Sequence, residues 1–186
     1  YFDTSDFQCF VQHHRGNGHR YKIRHRTYVE TNVGFWEVKQ KNNRGRTNKE
    51  RIPLLQPQKE KDVIDFLEVK TPYVPEDLLP SIWVEYQRIT LVGLHQNERV
   101  TLDLNVTFSK EDMKEQFPHL IIAEVKQDRH SLSPFVKAMQ KRHFRPGGLS
   151  KYCFGMVTLF PNIKSNHFKY KVNQLKKAAY GTIANS

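Results

Sequence analysis

In the stretch Arg20-Tyr21-Lys22-Ile23-Arg24-His25-Arg26 every second residue is a cation, and an extended strand sends alternate side chains to one face. Arg20, Lys22, Arg24 and Arg26 are therefore expected to share a face. Tyr21, Ile23 and Val29 would line the apolar opposite one, with His25 and Thr27 between them. Like charges about 7 Å apart along a strand repel unless an anion lies over them. The competing reading is a solvated edge strand that its own charge protects from pairing. Further cations recur at Lys39, Arg88, Arg99, Lys126 and Lys151, spread over several separate segments. Gathered round one cavity with Lys22, Arg24 and Arg26, they would create a field that only a dense polyanion balances. Arginine grips phosphate with a planar fork, and lysine adds a point charge. Glu37, Asp103 and Glu124 supply carboxylates, enough to hold one hard divalent cation that bridges phosphate oxygens.

These residues need strands to carry them. Tyr1 to Val11 reads as a strand end followed by a loop, and Gly16-Asn17-Gly18 is a turn before the cationic strand. His13 and His14 fall in that loop, where adjacent histidines of extended chain point apart and make a weak metal pair. Phe35 to Lys41 follows the turn at Thr31 to Gly34 as the antiparallel partner, with Glu37, Lys39 and Lys41 on one face. Asn42 to Arg46 is then a basic turn. Ile82 to Leu91 and Arg99 to Phe108 form a hairpin around a loop at Gly93 to Glu98. In its second strand Val100, Leu102, Leu104 and Val106 face the core, and Arg99, Thr101, Asp103 and Asn105 face the other way. Leu120 to Gln127 is a further strand that puts Glu124 and Lys126 on the face of Leu120 and Ile122.

The helices look structural. Val63, Ile64, Phe66 and Leu67 recur at helical spacing between Gln58 and Val69. Pro72, Pro75 and Pro80 then break the chain into a connector with a short helical turn at Glu76 to Leu79. Ser109 suits the N-cap of a short helix through Gln116. Ser133 and Pro134 start a helix carrying Phe135, Val136 and Met139 that ends near Arg145 to Gly148. Leu149 to Tyr152 leads into an apolar helix or strand through Phe160, and beyond Pro161 lies a basic, weakly amphipathic tail with Phe168, Leu175 and Ala178 as anchors.

The chain has 186 residues, enough for one domain with a real core. A formal net charge of +11 favours a polyanionic partner, whether nucleic acid, a phosphate chain or a membrane surface. Nucleic acid is disfavoured because Trp36, Trp83 and Tyr86 are scattered over different strands with no stacking motif. Cys9 and Cys153 lack metal-type spacing, and no secretory segment is in view, which suits a reduced, cytoplasmic protein. No apolar run approaches the ~20 residues that a membrane-spanning helix needs. Strands with one apolar and one charged face suit a sheet curled around a hydrated lumen, so the expected fold is α+β: an antiparallel β-barrel or tunnel with helices packed outside.

Seven ordered segments carry a resemblance: Tyr1-Phe2-Asp3-Thr4, Arg20 to Arg24, Glu37-Val38-Lys39, Glu85-Tyr86-Gln87-Arg88, Arg99 to Asp103, Glu124-Val125-Lys126 and Ser150-Lys151-Tyr152. Over residues 1–160 the chain resembles the vacuolar transporter chaperone (VTC) domain, the polyphosphate polymerase branch of the triphosphate tunnel metalloenzymes, with residues 161–186 as a helical basic tail. The resemblance implies a β-tunnel whose basic residues hold a triphosphate or polyphosphate chain, with Mn2+ or Mg2+ aiding phosphoryl transfer from ATP or another nucleoside triphosphate. Carried over by position, Arg24 and Arg26 resemble the phosphate-binding arginines, Lys39 the lysine of the next strand, and Arg88 and Arg99 the later arginines. Glu124 is similar to the metal-binding glutamate and Lys151 to the lysine of the last segment, with Lys22 and Lys126 as looser matches. Two departures stand out: the family's first strand, with its Glu-Arg-Lys-type motif, would precede Tyr1, and Gly148 replaces a basic residue often found before the Ser-Lys pair, with Arg145 the nearest substitute. The same fold also hosts triphosphate hydrolases, and a non-catalytic polyphosphate-binding module is a third reading. In eukaryotic relatives the domain is tethered to a membrane complex.

Overall fold

Alternation and turn chemistry build most of the strands. The computed structural model describes residues 1–54, 59–94, 97–127 and 133–180, without the side chains of 178 and 179. The cationic strand is β2 (Arg20–Tyr28), paired antiparallel with β3 (Val33–Lys41) so that Arg24 lies opposite Glu37 and Lys22 opposite Lys39. Val29 falls beyond the strand in the turn, 89% exposed, rather than on the apolar face. Asn42 closes the next turn by accepting the backbone N–H groups of Arg44 and Arg46 on its Oδ1 at 3.0 Å. That turn opens β4 (Thr47–Pro53), a strand that its polar composition hid. With β1 (Phe2–Asp3) and β5 (Leu79–Pro80) the first sheet has the order β4-β3-β2-β1-β5.

The second sheet is built on β7 (Glu98–Lys110). One edge of β7 pairs with β6 (Trp83–Val92). The other is shared by β8 (Met113–Phe117) and β9 (Ile122–Gln127), which take its second and first halves. The segment from Ser109 to Gln116 is thus a hairpin and not a capped helix. Glu111 turns the chain at φ +51°, directly between the paired Lys110 and Met113. β7 carries one extra residue opposite Tyr86, where the register passes from Glu85↔Thr107 to Gln87↔Leu104, and Asn105 there has φ +51°. The bulge reverses the expected alternation: Val106 shares its face with Asp103, and Leu104 lies on the other. Among the described residues the pairings give two antiparallel sheets, not one closed barrel.

The opening loop is in fact a helix, α1 (Gln8–His14). Its first N–H groups are satisfied by upstream side chains: Asp3 Oδ1 and Oδ2 accept from Cys9 at 2.7 Å and Phe10 at 2.9 Å, and Thr4 Oγ1 accepts from Gln8 at 2.9 Å. Asp3, 1% exposed, also accepts the Tyr152 hydroxyl. α2 (Glu60–Lys70) follows; Gln58, where that helix was expected to begin, lies outside the described residues, as does part of the loop between β6 and β7. A 3-10 turn at Pro75–Asp77 precedes β5. α3 (Pro134–Lys141), shorter than expected, begins where Ser133 Oγ accepts the Val136 N–H at 3.0 Å. α4 (Lys151–Leu159) is the apolar helix, and α5 (Asn166–Tyr180) follows it.

α4 is the centre of the core. Tyr152, Phe154 and Met156 are buried with Phe108 and Phe117 of the second sheet and Ile23 and Val38 of the first. Gly155 lets this helix approach closely, since a Cβ there would lie 2.5 Å from Cδ1 of Phe108 and 2.6 Å from Cδ1 of Ile82. Gly155→Val should therefore cost about 2–3 kcal/mol through overpacking, read as a lower midpoint in urea with an unchanged m value.

Candidate functional site

Register turns the cationic strands into ladders. Lys22 of β2, Lys39 of β3 and Lys49 of β4 lie directly opposite one another, and the next row is Arg24, Glu37 and Arg51. Three like charges in a row are unfavourable on a sheet. One carboxylate serves the group. Glu37, 2% exposed, receives Arg24 Nε at 2.6 Å and ion-pairs with Lys49 Nζ at 2.5 Å. Arg24 also donates to the Tyr1 hydroxyl at 3.1 Å. Burial alone would favour neutral Glu37, but Lys49 and Arg24 hold its pKa below the usual carboxylate range. Among the described residues neither Lys22 nor Lys39 has a carboxylate within ion-pair distance.

The second sheet repeats the device. Asp103, 1% exposed, takes a bidentate grip from Arg88, Nε at 2.6 Å and Nη2 at 2.8 Å, and pairs with Lys151 Nζ at 2.5 Å. Burial disfavours its charge, yet Arg88 and Lys151 keep its pKa low. The bulge in β7 makes this possible, because one face can then run from Asp103 into the apolar Val106 and Phe108. α4 lies on that face, and its first residue, Lys151, is set by Ser150, whose Oγ accepts the Cys153 N–H at 3.3 Å.

Tyr86 joins the two sheets. Its hydroxyl accepts Arg26 Nη2 at 2.9 Å, and its ring lies 5.1 Å from the Arg88 guanidinium carbon and 5.0 Å from Lys151 Nζ. Arg26, Arg88 and Lys151, from three elements, thus converge on one aromatic side chain. Burial lowers the pKa of Lys39, Glu124 of β9 offsets this, and Arg24, Lys126 and Lys49 add to the lowering. Arg99 and Lys126 are opposite each other and exposed, at the outer end of the second sheet. Glu124 is 52% exposed with Lys126 at 3.9 Å.

The carboxylates divide by role. Glu37 and Asp103, expected as metal ligands, brace guanidinium and ammonium groups instead. Among the described residues no three His, Cys, Asp or Glu side chains come together as a metal site, the His13 and His14 pair included. Glu124 remains free enough to take one coordination position. A single carboxylate completed by phosphate oxygens is a ligand set that a small hard cation accepts, so Mg2+ or Mn2+ fits here only alongside a bound phosphate chain.

A family model for the VTC domain matches residues 1–160. The chain belongs to the VTC domain family. No curated protein and no solved structure matches it. The VTC assignment agrees with the seven ordered segments and points to a role connected with polyphosphate. Three participants in this VTC site escaped the sequence reading. Tyr86 lies two residues before Arg88, hence on its face; Lys49 alternates with Arg51 in β4; and Tyr1 reaches Arg24. The first two spacings are visible in the sequence, although nothing in them marks the residues as belonging to the same site.

Lys22 offers a direct probe of this VTC domain. Burial, with Lys39, Arg20 and Arg24 nearby, pushes its pKa down to about 8. Its charge is then present below pH 8 and lost above. A phosphate-chain ligand held at Lys22 would lose affinity as pH rises through about 8, and Lys22→Arg would flatten that fall; calorimetric titration with tripolyphosphate across this range reads both.

Proposed function

We propose that this VTC domain binds polyphosphate between its two cationic faces and transfers the γ-phosphoryl of a nucleoside triphosphate to the chain end. The reading rests on one observation: Lys22 and Lys39 lie opposite each other and, among the described residues, have no carboxylate within ion-pair distance, beside the Arg24 guanidinium that Glu37 holds. Such a site is built for an anion that arrives from outside. Two facing sheets that curve round a phosphate chain would form the expected tunnel.

In the reaction a terminal oxygen of the chain attacks the γ-phosphorus, the bond to the β–γ bridging oxygen breaks, and the nucleoside diphosphate leaves with those electrons. Arg24 and Arg26 hold one phosphate group, and Arg88 and Lys151 the other. Because Glu37 fixes Arg24, Asp103 fixes Arg88 and Lys151, and the Tyr86 hydroxyl accepts from Arg26 before substrate arrives, little reorganisation is needed as charge develops. Glu124 would hold Mg2+ or Mn2+, which offsets charge on the phosphate oxygens when bound. Hydrolysis is the weaker reading, since Glu37 and Asp103 are both committed to cations and are poor bases for activating water. A nucleoside triphosphate donor fits a cytoplasmic location, as do two unpaired, buried cysteines; among the described residues no helix is long and apolar enough to cross a membrane.

Arg24→Ala and Lys39→Ala should each weaken tripolyphosphate binding by about tenfold or more, in line with the loss of a charge-assisted contact. Glu124→Ala should leave metal-free binding intact while abolishing polyphosphate synthesis from ATP by the full-length protein. Tight binding with no synthesis by the unaltered full-length protein would select the non-catalytic module, and phosphate release without polymer the hydrolase.

A further inference from the structure

Charge is unevenly divided along this chain. Residues 1–128 carry nineteen Lys and Arg and nineteen Asp and Glu, whereas residues 129–186 carry eleven Lys and Arg and no acidic residue. The whole surplus of +11 therefore belongs to the last third of the sequence. Among the described residues of that third, Lys151 has a carboxylate partner in Asp103, and the remaining cations form no ion pair.

α5 organises part of this surplus. Phe168, Val172 and Leu175 face the core at helical spacing, and Phe168 packs on Phe10 and His14 of α1. Its first turn is fixed by His167, whose Nδ1 lies 2.7 Å from the His14 carbonyl oxygen and whose ring stacks on that of His14 at 4.7 Å. Lys169, Lys176 and Lys177 are left exposed. Lys169 and Lys176 are two turns apart, about 10 Å along the axis. A surface depression of about 380 Å³ runs beside Lys176 and Lys177, lined also by Tyr170, Asn173 and Gln174. On another side of α5, the Nζ of Lys171 would lie 3.6 Å from a Cβ at Gly147, four residues before Lys151 in the chain.

A basic helix can also rest on an anionic bilayer, but such helices insert an apolar face. Here that face is already packed in the core, which leaves a cationic surface suited to a solvated, flexible polyanion. We propose that the exposed lysines of α5 form a second contact for long-chain polyphosphate, holding chain that extends past Lys151. This rests on the polyphosphate reading above.

The test compares the chain with its Lys169→Gln/Lys176→Gln/Lys177→Gln variant, titrating each with tripolyphosphate and with long-chain polyphosphate. Long-chain affinity should fall about tenfold, and its salt dependence should lose a slope of about two, through fewer counterions released. Tripolyphosphate affinity should not change. Equal loss on both ligands, or no loss on either, overturns the proposal. So does loss of binding to phosphatidylserine vesicles with long-chain affinity intact, which would make α5 a membrane-facing surface. Arg24→Ala separates the two readings: if it leaves tripolyphosphate binding unchanged, the site between the sheets is wrong, whatever α5 does.

Discussion

Two buried carboxylates, each clasped by two cations, determine how this fold can present positive charge. Glu37 holds Arg24 and Lys49, and Asp103 holds Arg88 and Lys151. Without them four cations would lie beside an apolar core with no charge to balance them, and only the Tyr1 hydroxyl and the Tyr86 ring to direct Arg24, Arg88 and Lys151. A buried ion pair adds little net stability, because desolvation cancels much of the attraction. Its effect here is geometric: each carboxylate neutralises part of the local charge and sets the orientation of a guanidinium fork. Lys22 and Lys39, which among the described residues have no carboxylate within ion-pair distance, are the cations on which the proposed polyphosphate site rests.

The backbone makes room for this arrangement through a single irregularity. A regular β7 would place the side chain of Val106 away from Asp103, and no one face could be ionic at one end and apolar at the other. With one extra residue near Asn105, the face that binds Arg88 through Asp103 continues into Val106 and Phe108. α4 exploits that continuity. Its apolar body sits on the Phe108 end, with Gly155 allowing close approach, so its N-terminal Lys151 must lie over the ionic end. Core packing and placement of the charged residue are thus one constraint, which explains why the most buried helix supplies a site residue.

Much of this was legible in the residues, and the failures have definite causes. Cations at every second position gave β2 its faces, because a period of two has one structural meaning when sustained over seven residues. β4 was hidden, since its two β-branched residues, Thr47 and Ile52, are separated by the polar and charged run Asn48 to Arg51, which shows no apolar alternation, and its pairing comes from the turn at Asn42. α1 was hidden because its capping oxygens come from Asp3 and Thr4, outside the usual N-cap position. Ser109 misled because a good N-cap residue is equally at home in a strand beside a tight turn. For the site, residue type suggested charge, but a lone sequence cannot say whether a carboxylate meets a metal or an arginine. Register decides that, and it placed Arg24 opposite Glu37 and Arg88 opposite Asp103.

The uneven distribution of acids follows the same logic. Each carboxylate in the site already has a cation of its own sheet or of α4, so under the proposed function additional acids near the faces would compete with polyphosphate for Lys22 and Lys39. The first 128 residues instead keep equal numbers of both signs and concentrate positive potential by placement rather than by excess. The C-terminal residues do the opposite, with cations and no acids, and four of those cations lie on α5, whose apolar side is packed in the core. Placement confers geometric selectivity on a short segment of ligand, whereas excess confers long-range attraction that salt screens. A repeating polyanion is the ligand class for which both are useful at once, because one part of the molecule can be gripped while the rest is merely attracted.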